Sequence, residues 1–190
     1  MNGCGSADLW IDYAPYTTVT LAGYGWDFVV ADVVSFEPAI FNTPDGKAPP
    51  DFLKPASSLP PNPNAQTLIY TPVNVVIDDV VSGTWSAGPR QFLIEGGTVP
   101  IEGGTVDCFT ARVYEAPRVE PGSRYVFIVS EALDSEGQKP LLLSKARFAW
   151  PVDSKGIVTT VDGPMSIDKL TQVVVGAAVT PDPKATMASN

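Results

Sequence analysis

Proline and glycine interrupt this chain too often for long helices to form. There are 19 prolines and 16 glycines in 190 residues. Proline lacks a backbone donor and clashes with the preceding helical turn, and glycine loses the most entropy on ordering. Between the breaks lie runs of valine and threonine, whose branched side chains suit a pleated strand. Short strands joined by turns are the expectation, within one domain at this length. Prolines are densest at residues 48–64, with Pro49, Pro50, Pro55, Pro60, Pro61 and Pro63. That run excludes a helix or a central strand and predicts a long loop with polyproline-like stretches.

The first strong strand signal is residues 26–36, where Phe28, Val29, Val30, Val33, Val34 and Phe36 alternate only imperfectly. Such a run suits a long strand that is bent or buried on both faces. Further strand signals lie at 67–81, 91–95, 105–115, 125–130, 141–150 and 157–161. At 42–47, Pro44, Asp45 and Gly46 specify a turn. Glu95-Gly96-Gly97-Thr98-Val99 recurs as Glu102-Gly103-Gly104-Thr105-Val106, a hairpin-like excursion whose glycines permit bulges or close backbone approach. Near the C-terminus, Ser166 is a helix cap, and Ile167, Leu170, Val173 and Val174 follow with helical spacing. The strand spacing fits a barrel or a sandwich. The expectation adopted is an all-β fold: a five- to seven-stranded OB-like barrel with one C-terminal helix and a long proline-rich loop. Residues 1–16 read as a tail or docking segment, 17–180 as the barrel domain, and 181–190 as a second tail.

Charge and composition exclude several chemistries. The chain carries 12 basic and 21 acidic residues and no histidine, for a net charge of -9. A phosphate backbone requires a basic stripe, and none is visible, so nucleic acid is not an expected partner. Without imidazole there is no Ser-His-Asp or Cys-His catalysis and no HExxH zinc site. No apolar run reaches the ~20 residues that span a bilayer as a helix.

Two cysteines, Cys4 and Cys108, cannot make a disulfide framework but could make one bridge. Cys4 sits in Asn2-Gly3-Cys4-Gly5-Ser6, the small-residue setting of a bacterial lipoprotein junction, and is the candidate for lipidation. The apolar leader of such a junction does not precede it here, so these residues read as the region of a mature N-terminus. An incidental cysteine in a disordered tail is the competing reading. Cys108, in a strand-like run, reads as a small buried hydrophobe.

The order of several motifs carries a resemblance. Val33-Val34-Ser35-Phe36-Glu37-Pro38 is followed by Phe41-Asn42-Thr43-Pro44-Asp45-Gly46 and by Ile69-Tyr70-Thr71-Pro72-Val73. The Gly-Gly-Thr-Val motif and the run from Ala116 to Phe127 come later. This series resembles a group of bacterial secreted and lipoprotein domains of unassigned activity, built as small β-barrels. The resemblance covers about residues 29–175 and implies a fold. It implies no catalytic residues, and the proline-rich stretch departs from it.

Candidate chemistries reduce mostly to structural roles. Ser166-Ile167-Asp168-Lys169 matches the S-x-x-K acyltransferase pattern, but the companion motifs are absent and the cap is preferred. Asp78 and Asp79, with Asp27, Asp32 or Glu37, could form paired carboxylates or a calcium site, though without a recognised spacing. The paired glycines lack a nucleotide-binding context. No catalytic, cofactor-binding or metal-binding residue is therefore assigned, and no cofactor is expected. The expected function is a non-enzymatic binding or assembly module, secreted or at the bacterial cell envelope. Its expected partner is a protein, a glycan or a second copy of the chain, with the membrane reached only through a lipid at Cys4. The candidate contact residues are Trp10, Tyr13, Tyr16, Tyr24, Pro49, Pro50, Phe52, Pro60 and Pro61. Two alternatives stand beside it: a structural subunit that assembles by strand addition, and a carboxylate-based hydrolase.

Overall fold

A computed structural model describes residues 3–9, 16–49, 52, 67–102, 106–133 and 140–177. Eleven strands and two helices occur among them. The strands are β1 (Cys4–Leu9), β2 (Asp27–Phe36), β3 (Ile40–Phe41), β4 (Ile69–Ser82), β5 (Gly88–Glu95), β6 (Gly97–Pro100), β7 (Cys108–Val113), β8 (Arg124–Leu133), β9 (Pro140–Pro151), β10 (Ile157–Thr160) and β11 (Gly163–Ser166). The helices are α1 (Thr18–Gly23) and α2 (Ile167–Gly176). The fold is all-β, as expected. Among the described residues the strands form three sheets of six, three and two strands, and the expectation of one helix is corrected, since α1 is a second. Thr17 accepts a hydrogen bond from Thr20 N and so caps α1, a signal too short to stand out from the turns around it.

The six-stranded sheet runs β2-β8-β9-β5-β4-β3, and β2 pairs with β4 as well. All its pairs are antiparallel except β5–β9, which is parallel and joins Phe92 to Ser144 and Leu93 to Lys145. Alternation places Val29, Ala31, Val33, Val73, Val75, Ile77, Phe92, Ile94, Tyr125, Phe127 and Val129 in one buried cluster. The other faces of β2 and β8 are buried too. Phe28, Val30, Val126 and Ile128 lie under Leu21 of α1, Leu170 and Val174 of α2, and Val158 of β10. This two-sided burial explains the near-continuous apolar run of residues 28–34. Trp150 is buried in that second cluster, and Trp85 packs edge-on against Phe92 at 5.4 Å.

Local sequence signals act as read. Ser166 caps α2 by accepting from Lys169 N at 3.2 Å, which leaves its S-x-x-K pattern a structural one. In the 42–47 turn, Asp45 accepts from Lys47 N and Thr43 Oγ1 at 3.1 Å, and these bonds hold its carboxyl below the ordinary range. Gly46 has φ 72°, as the turn requires.

In the small sheet, β1-β7-β6, residues 4–9 form a paired strand and not a free tail. β1 lies parallel to β7 with Cys4 opposite Cys108, and the two cysteines form a disulfide with Cα atoms 4.5 Å apart. The single bridge that two cysteines could make is the one formed. A sulfur bonded to Cys108 has no thiol left to carry a lipid, and Cys108 is a half-buried bridge partner.

Candidate functional site

A groove of about 350 Å³ opens where the end of the six-stranded sheet meets the small sheet. The large sheet contributes Phe36 at the end of β2, Thr71 on β4 and Ile94 on β5 to its lining. Gly96 and Gly97, and the loop residues Ala116, Pro117, Arg118 and Val119, line it as well. Chain geometry explains the glycines. Gly97 has φ 133°, and a Cβ there would lie 2.5 Å from Thr71 Oγ1 and 2.6 Å from Ala39 Cβ. The close approach lets Thr71 Oγ1 donate to the Gly96 carbonyl at 2.8 Å and Gly96 N donate to the Ile69 carbonyl at 2.7 Å. The strand therefore turns sharply from the large sheet into the small one, and the cleft lies beside that turn.

The groove presents polar and apolar surface side by side, with one open cation. Phe36 is 43% exposed although it is a large hydrophobe. Arg118 is exposed at the rim and makes no ion pair among the described residues. Glu95 also lines the groove, but the Lys145 ammonium holds its carboxylate in a buried ion pair.

The acids singled out in the sequence are placed apart from this groove. Asp32 and Asp78 meet across strands only through Arg124, at 3.5 Å and 2.5 Å. Glu37 accepts from Asn74 Nδ2 at 2.7 Å, in a polar chain with Ser35 and Gln91. Asp79 accepts from the Val80 backbone. Among the described residues no three Asp, Glu or Cys groups gather as a metal site would need. Burial pushes the carboxyl of Asp27 above its ordinary 3.8. An acid raised in the folded state is protonated there before it is in the unfolded chain, so the folded state holds more protons over that window. Stability therefore falls as pH rises from 3.8 through the folded value. Asp27→Asn is expected to be more stable than the parent at pH 7, by less than about 1 kcal/mol because water screens this half-exposed group. Thermal midpoints at pH 3 and pH 7 check it: the gain must vanish at pH 3.

Of the candidate contact residues, Trp10, Tyr13, Pro50, Pro60 and Pro61 lie outside the described residues. Tyr16 packs edge-on against Tyr24 at 5.8 Å and Phe148 at 6.0 Å, and Tyr24 lies 5.0 Å from Trp26. Phe52 sits between Phe41 and Phe109 at 4.8 Å and 5.0 Å, and its amide donates to the Pro49 carbonyl. These rings serve internal packing and do not line the groove. The residues that do line it were legible only in part. Gly96-Gly97 signals close backbone approach, whereas Arg118, in a loop bounded by Pro117 and Pro121, had no local pattern to mark it.

No protein-family model, curated protein or solved structure matches this chain.

Proposed function

We propose that the protein is a non-enzymatic binding module that takes an extended polypeptide segment into the groove between its two larger sheets. The segment presents an apolar side chain to Phe36, Ile94 and Val119 and a carboxylate to Arg118. The observation that carries this reading is an exposed aromatic ring, Phe36, and one unpaired cation, Arg118, lining the same groove. Apolar clefts with a few placed polar groups are the usual form of binding sites. The acids nearest to catalytic roles are tied to Arg124 or Lys145, which favours binding over hydrolysis.

The pairing circuit supports an OB-type barrel as the scaffold. It runs β2–β4–β5–β9–β8 and back to β2, with the parallel step at β5–β9. This sits with the motif resemblance to bacterial envelope β-barrel domains. The disulfide supports an oxidising compartment, at the cell envelope or outside the cell.

Random peptides displayed on phage and selected on the full chain test the reading. Selected peptides are expected to bind Phe36→Ser and Arg118→Glu at least about tenfold more weakly, the scale of one lost charged contact. They should bind Val161→Ser, an exposed site on another surface, as well as the parent. Selection of no peptide, or peptides indifferent to both groove variants, would overturn it.

A further inference from the structure

We propose that the edge of β7 is an interface for β1 of a second copy of this chain, and that the Cys4–Cys108 disulfide decides whether β1 pairs within its own copy or across two. β1 is the outer strand of its sheet and pairs with β7 alone, its last carbonyl, Leu9, also accepting from Tyr114 N just past β7. It buries no large side chain: Cys4, Ser6, Asp8 and Leu9 are exposed, and Gly5 and Ala7 are half-buried. Its one ion pair, Asp8 with Arg112 at 3.9 Å, is exposed at both ends. Parallel pairing is the weaker form of ladder, and exposed ion pairs add little. The disulfide is therefore the main tether, and it closes a separation of 104 residues.

The β7 edge also specifies its occupant. Cys108 requires a cysteine opposite. Phe109 requires a residue with almost no side chain, because a Cβ at Gly5 would lie 2.8 Å from its ring. Arg112 faces Asp8. Cysteine, glycine and aspartate in this register are the sequence of β1 itself, so the strand that fits a bared β7 is β1 of another copy. The chemistry needs an external thiol and an external disulfide. A dithiol reduces the bridge, giving two protein thiols and a cyclic disulfide. Oxidised glutathione then takes two electrons from Cys4 of one copy and Cys108 of the other, forming the S–S bond between copies and releasing two reduced glutathiones.

Two full-length variants of different mass isolate the event. Cys4→Ser keeps only Cys108 and Cys108→Ser keeps only Cys4, so neither can close its own bridge. Mixed and oxidised with glutathione disulfide, they are expected to give a cross-linked heterodimer on a non-reducing gel. Its yield should exceed either homodimer by on the order of tenfold, because strand pairing concentrates the two thiols. Amides of residues 108–113 should exchange in the heterodimer as slowly as in the oxidised parent. Yields at the statistical ratio, or unprotected β7 amides, overturn the proposal. So does global loss of β circular dichroism in the reduced parent, since β1 would then not be a separable strand.

Discussion

Gly83→Ala is expected to cost on the order of 3 kcal/mol, the sum of backbone strain and steric overlap at one close contact. Gly83 follows β4 with φ 106°, a conformation that side chains disfavour. A Cβ there would also enter the side chain of Asp27 and lie 2.7 Å from its Cβ, so rotating the carboxylate away does not remove the overlap. Asp27 begins β2, and the next residue, Phe28, pairs with Ser82, so neither strand can withdraw without breaking the β2–β4 ladder. Urea unfolding should show a lower midpoint with an unchanged slope. Adding Asp27→Gly removes the overlap but not the φ strain, so the double variant should recover part of the loss. A loss below about 1 kcal/mol would mean that the turn relaxes freely, against the packing argument.

Lys145→Met is expected to cost about 3–5 kcal/mol, the penalty for leaving one charge of a buried pair without its partner. Lys145 and Glu95 have side chains only 9% and 7% exposed. Lys145 also stands over the ring of Tyr70, 6.0 Å from its centroid, and Tyr70 is the cross-strand neighbour of Glu95. Glu95 has little contact with water to replace its cation when that is removed. The double variant Glu95→Gln with Lys145→Met removes both charges, and its cost should fall well below that of Lys145→Met alone. For a chain of this size the single variant should lower the thermal midpoint by roughly 6–20 °C. If the double variant is as unstable as the single one, the loss reflects packing of the lysine stem and not an orphaned carboxylate.

Both sites show how far the sequence could be read. Glu95 was visible as the acid before a glycine pair, and Lys145 as one of two cations, with Arg147, in the predicted strand 141–150. Neither position names the other, because they lie 50 residues apart and meet only through the parallel β5–β9 step. The same holds for Arg124, which joins Asp32 and Asp78 from three different strands. Cys4 illustrates a local pattern overruled. Its small-residue setting fits a lipid junction, and pairing along β7 brings it to Cys108 instead.

The sequence by itself determined the strand-rich class, the turn at 42–47, the cap and register of α2, and the absence of imidazole chemistry. Each depends on neighbours within a few residues: a proline's fixed φ, a serine's reach to the third amide, a period of two or 3.6. Only the tertiary structure decided the three-sheet arrangement, the disulfide, the buried Lys145–Glu95 pair and the groove under Arg118. Those depend on which strands lie side by side. Pairing is chosen by burial of whole faces across long separations, and a single strand's composition does not encode its neighbour.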